Sequence, residues 1–244
     1  MKTFNLSRGN RLLTALLSGL IMGAGALFST SVLAVGIIGT AHDFSDDTNF
    51  NATGEVCVVC HTPHNANVGA EDGPLWNRTL TTATYTMYAG GNVGSDLNHT
   101  MGTTVSGISK LCLSCHDGTI ALDAFGGAAG TASLGMEDLF PARNIGGAVV
   151  GGTTADLGND HPVSFALDAT AISADGKITA LGSLQTLSAT GTSIQLFGGS
   201  NDTIECATCH DVHDDQGNNF LLRVPQSVAD GGTPSGLCLT CHNK

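Results

Sequence analysis

Apolar positions form one continuous block near the start of the chain and only short, interrupted runs after it. The block, Leu12 to Phe28, follows Lys2, Arg8 and Arg11 and leads into Val32-Leu33-Ala34. That layout predicts an export signal over 1–34 with cleavage after Ala34. An uncleaved anchor is the alternative, but the run is short for a membrane span. No Cys follows the cleavage point, which excludes a lipoprotein anchor. Beyond it, Ile120 to Asp123 reads as a short helix or turn, and Ala89–Gly94 and Gly126–Gly152 read as Gly-rich loop. Asp175-Gly176 between the short alternating runs of Ala171–Ala180 predicts a hairpin. A second is predicted where Gly198-Gly199 separates Ser193–Phe197 from Asp202–Glu205. The single Trp and both Tyr, Trp76, Tyr85 and Tyr88, lie close together and suggest packing against a flat prosthetic group.

This pattern leaves a thin core. Aromatic residues make up 5% of the chain and Gly contributes 33 of its 244 residues. Leu, Ile and Phe alone would scarcely stabilise a domain of this length, so something other than protein is expected to fill the interior. The chain without it should be largely unfolded. Charge narrows the partners. Three of nine basic residues and none of 21 acidic ones fall in 1–34. The remainder therefore carries six basic residues against 21 acidic, a formal −15. Nucleic acid and anionic lipid both require a basic surface, which this chain lacks.

The filler is read from the cysteines. Cys57-Val58-Val59-Cys60-His61, Cys112-Leu113-Ser114-Cys115-His116, Cys206-Ala207-Thr208-Cys209-His210 and Cys238-Leu239-Thr240-Cys241-His242 use all eight cysteines. Each is a CxxCH motif, the attachment signature of a c-type haem: two thiols bond the porphyrin and the following His ligates iron. Zinc sites or a disulfide framework would not require His after every second Cys. The chain thus predicts four covalent haems with proximal ligands His61, His116, His210 and His242.

Five histidines remain: His42, His64, His99, His161 and His213. His64 and His213 each stand three past a proximal His, too close to reach the opposite face of the same iron, so each would serve a neighbouring haem. Pro162 keeps His161 out of helical backbone. His42, near the predicted new N-terminus, is free to reach outward to another subunit, with Asp43 as an acceptor orienting its ring. The expected distal ligands are His42, His64, His161 and His213, with His99 spare. Met87, Met101 and Met136 are weaker alternatives. Irons ligated on both faces move electrons and bind no substrate, so a carrier is expected rather than an enzyme.

The motif order CxxCHxxH, CxxCH, CxxCHxxH, CxxCH suggests two related two-haem modules, 35–125 and 155–244, within one domain over 35–244. These motifs, with His42-Asp43-Phe44, Leu75-Trp76-Asn77 and Asp160-His161-Pro162-Val163-Ser164-Phe165, resemble the doubled-CXXCH cytochromes. Within them the chain is similar to the tetrahaem OmcE-type cytochromes, which form extracellular filaments. The resemblance implies a multihaem cytochrome c fold, mostly irregular coil with short helices and a few β-hairpins wrapped around a tetrahaem core. It also implies bis-His ligation and a secreted head-to-tail homopolymer that takes electrons from periplasmic or outer-membrane cytochromes and passes them to an extracellular acceptor. The competing readings are a monomeric periplasmic carrier or redox-complex subunit, and an oxyanion reductase.

Overall fold

The computed structural model describes residues 36–88, 101–167, 169, 172, 176–190 and 193–243, all within one compact unit, Val35–Lys244. Most of them are coil and turn. The longer helices are α1, Gly107–His116, and α3, Leu181–Thr190. Short ones are α2 (Met136–Leu139), α4 (Cys206–Cys209) and α5 (Gly236–Cys241). Two small sheets complete the fold. β1, Thr84–Met87, runs parallel to β2, Thr154–Leu157, in the register Tyr85 to Ala155 and Met87 to Leu157. β3, Phe165–Ala166, is antiparallel to β4, Thr203–Ile204.

Alternation explains the first sheet. Both strands bury every second residue. Tyr85, Met87, Ala155 and Leu157 therefore face one side and close over Leu113 of α1. A second cluster gathers Leu184, Ile194, Leu196, Ile204, Leu222 and Leu237 in the C-terminal half. A third, Phe50, Val59, Leu122 and Met136, lies beside Cys60 and Cys115. Three small clusters in place of one large core are what a chain so poor in large apolar residues can build.

Several local expectations change. The hairpin over Gly198-Gly199 shrinks to one bridge, Phe197 with Thr203, because Thr203 and Ile204 pair with Phe165 and Ala166 instead. Gly198 turns the chain there at φ 77°. Asp175 and all of the earlier arm of the Asp175-Gly176 hairpin except Ile172 lie outside the described residues; its later arm bridges to the last motif through Ile178 and His242. The 89–94 loop is also outside them. Residues 120–123 take the turn, one of the two forms expected there. Within 126–152, α2 and a 3-10 turn at Pro141–Arg143 interrupt the loop. Burial of Met136, with Glu137 and Asp138 favouring a helix start, accounts for α2. At Gly118 (φ 82°), the Ala148 carbonyl fills the space that a Cβ would need.

Candidate haem sites

Each CxxCH motif adopts one helical turn. The backbone N–H of His61, His210 and His242 donates to the carbonyl of the first Cys of its motif, at 2.8, 3.1 and 2.8 Å. The second motif is the last turn of α1. A turn places residues three apart on the same face, so both sulfurs of a motif point one way. None of the eight is in a disulfide. Burial and Cys115 push the Cys60 thiol up to about 12. Burial and Cys241 push Cys209 up to about 11.

The same causes show how the motifs neighbour one another. Cys60 lies near Cys115, and Cys209 near Cys241. Cys112 and Cys206 share a hydrogen bond between their thiols, which with burial raises Cys112 well above its ordinary value. The middle pair is fixed by Glu205, which is 3% exposed. Its carboxylate accepts the Ser109 N–H of α1 at 3.2 Å and also caps α4. In return the Ser109 hydroxyl accepts the Cys206 N–H at 2.9 Å. One carboxylate and one hydroxyl thus join the helices of the second and third motifs.

Three motif histidines use Nδ1 on backbone carbonyls: His61 on Pro74 at 2.8 Å, His116 on Arg143 at 2.9 Å and His210 on Phe220 at 3.1 Å. A carbonyl only accepts, so Nδ1 carries the proton and Nε2 keeps its lone pair for a metal. Three of the four motif rings, those of His61, His116 and His242, have another imidazole opposite. His61 faces His213 at 6.3 Å between centroids with planes 20° apart. His116 faces His42 at 5.9 Å, and His242 faces His161 at 6.4 Å. Two metal–nitrogen bonds of about 2 Å plus two ring radii come to about 6.3 Å. The residues fit an iron held between each pair. Exposed apolar side chains beside the motifs, Leu75, Val212, Phe220 and Leu239, are surface that a porphyrin would cover.

His42 is poised as a ligand. Its Nδ1 is buried without a partner, and burial followed by His116 and His210 lowers it to about 4, leaving the neutral ring that ligation requires. One expectation about this segment is corrected. Asp43 does not orient His42: its carboxylate accepts from the Gly39 N–H at 2.7 Å and from Ser45, closing its own turn. Phe44 packs edge-on against Phe50, and His42 lies beside His116 of the same chain.

His64 is exposed and, like His210, has no ring partner among the described residues. His99 lies outside them. Met87 and Met136 are buried in the first and third clusters and Met101 packs against the first, and three of the motif histidines meet imidazoles instead. Trp76 stands edge-on to His61 at 6.2 Å. Tyr85 does not pack as a flat wall; its hydroxyl donates to Asp117 at 2.7 Å inside the first cluster.

Sequence reasoning missed the carbonyls of Pro74, Arg143 and Phe220, which no side chain advertises. It also missed the interior charges Arg78 and Asp117, 1% and 0% exposed. An Arg after Leu-Trp-Asn and an Asp directly after a motif His were visible but carried no sign of burial.

The family model of the doubled CXXCH motif matches residues 200–244, which hold the third and fourth motifs. No curated protein matches the chain. The CXXCH motifs mark covalent c-type haem, and together with the small, mostly coiled fold they support a multihaem c-type cytochrome, a haem-binding electron-transfer protein.

Proposed function

We propose that the chain is an exported tetrahaem electron conduit whose irons are each ligated by two imidazoles. The observation that carries this reading is the facing of three motif histidines by three further histidines at 5.9 to 6.4 Å. His213 serves the first motif, His42 the second and His161 the fourth. His64 serves the third by elimination, mirroring the exchange between His61 and His213. The eight cysteines hold the haems, and the carbonyls of Pro74, Arg143 and Phe220 keep three proximal rings in the ligating tautomer. Bound haem supplies reversible one-electron chemistry at iron. With paired imidazoles at three motifs and His64 assigned to the third, each iron would be held by two imidazoles and no position would be left for a substrate, so an oxyanion reductase fits this arrangement poorly.

The filament reading, with secretion to the cell surface, head-to-tail self-association and delivery to an extracellular acceptor, rests on the resemblance of the motifs. Open polymers need a heterologous contact that does not close. The pairing of His42 with His116 inside one chain favours a second reading, a self-contained periplasmic carrier. Purified holoprotein should contain four haems per chain by haemochrome assay and give only low-spin ferric signals in electron paramagnetic resonance. A high-spin component, or ready carbon monoxide binding on reduction, would refute the saturated irons. Electron microscopy of secreted material decides between filament and monomer.

A further inference from the structure

The carboxylate that joins the helices of the second and third motifs differs from the other buried ones. Asp211 has Arg223 at 3.8 Å. Asp117 has four hydrogen-bond donors. Glu205, 3% exposed, takes the Ser109 N–H of α1 and the Thr208 N–H of α4, and has no ion pair among the described residues. A second carboxylate stands beside it instead. A Cβ at Gly107 would lie 2.8 Å from Glu205 Oε1 and 3.5 Å from Asp72 Oδ2, so both carboxylates border the glycine that opens α1. Asp72 is exposed. Next to Gly107 lies a cavity of about 100 Å³, lined in part by Glu71 and Lys110 and large enough for water. A proton thus has a way in from solvent. Burial lifts the Glu205 carboxyl above its ordinary range, the bonds from Ser109 oppose that, and Asp72 adds to the lift. The Cys112 and Cys206 thiols, which face it too, become thioethers on haem attachment and then carry no proton of their own.

We propose that Glu205 takes up a proton when the haems of the second and third motifs are reduced, so that electron passage across this joint is coupled to proton uptake. The proposal rests on the tetrahaem reading above. The donor's electron turns ferric iron ferrous, and a proton from water turns the carboxylate into the carboxylic acid. An electron added close to a buried carboxylate disfavours its charged form. By reciprocity, protonation there favours the electron.

The test is a spectroelectrochemical titration of holoprotein from acid to alkaline pH, for wild type, Glu205→Gln and Asp72→Asn, with haem content measured on the same samples. In wild type two midpoints should fall as pH rises. In Glu205→Gln those two should hold their acid-side value at every pH, because the amide stays neutral like the protonated acid. In Asp72→Asn the fall should persist but begin at lower pH, since a like charge that holds the proton on Glu205 is gone. Reduction should also bring up a carboxylic acid band in the infrared difference spectrum of wild type, absent from Glu205→Gln. The same pH dependence in Glu205→Gln as in wild type, even with lowered thermal stability, would show that Glu205 only caps α1 and α4, and would overturn the proposal. Flat wild-type midpoints would overturn it as well. If Glu205→Gln fails to load haem, Asp72→Asn decides alone: an unmoved pH window overturns the proposal. A wild type with fewer than four haems would instead defeat the tetrahaem reading.

Discussion

The segments that follow the first and third motifs share a backbone and differ in charge. After His61 the chain returns antiparallel, with the Thr62 N–H on the Leu75 carbonyl and the Asn77 N–H on the Cys60 carbonyl, both at 2.8 Å. After His210 it does the same: Asp211 N–H to Leu221 at 2.7 Å and Arg223 N–H to Cys209 at 2.8 Å. The residue just before each return strand offers its carbonyl to the proximal Nδ1, Pro74 in one and Phe220 in the other. Bulky residues take left-handed backbone at both corners, Leu75 at φ 57° and Phe220 and Leu221 at 60° and 56°. The interiors then diverge. The first half buries Arg78 and Asp117 without an ion pair among the described residues, whereas the second buries Glu205 and Asp211, the latter 3.8 Å from Arg223, beside an aliphatic cluster. Ligand geometry is thus repeated, while electrostatic surroundings are set separately in each half.

The most severe test removes the common element. Chain produced without haem attachment should show no cooperative thermal transition by circular dichroism, since three small clusters cannot offset chain entropy alone. A cooperative apoprotein would mean that one half folds on its own protein core.

Next come the ligands. His213→Ala and His42→Ala should each open one iron, at the first and second motifs, giving one high-spin haem in four and carbon monoxide binding at that haem only. His64→Ala should do so at the third. If His64→Ala leaves the spectra unchanged, the exchange between the two CxxCHxxH segments is one-sided.

A smaller effect probes the polar interior of the first half. Asp117 accepts from the Thr81 and Tyr85 hydroxyls at 2.7 Å and from the Thr119 N–H and hydroxyl at 2.7 and 2.8 Å. Asp117→Asn sets an NH2 group against donors and should cost about 2–3 kcal/mol in holoprotein unfolding. Leu184→Ala, at a site 0% exposed, should cost a similar ~2–4 kcal/mol through a cavity. Opposite mechanisms in the two halves would then give comparable losses, and a neutral Asp117→Asn would erase the contrast.

The smallest effect concerns the corners. Leu75→Gly and Phe220→Gly remove the Cβ conflict of left-handed backbone, about 1 kcal/mol each, in part offset by lost apolar cover. Melting temperatures at or slightly above wild type are expected. A clear drop for one would mean that its side chain covers haem more than it strains the turn.

The sequence on its own determined the attachment chemistry, because two cysteines and a histidine within one turn need nothing from elsewhere in the chain. It also showed how few large apolar residues the chain has for a core of its own. The pairing of rings was beyond it: His61 and His213, or His42 and His116, meet only through the packing of distant loops, and spacing along a chain does not encode which faces oppose. Nor did residue type reveal that Arg78 lies inside while Arg223 keeps a carboxylate partner. Burial is decided by what surrounds a side chain, and only the tertiary structure supplies the surroundings.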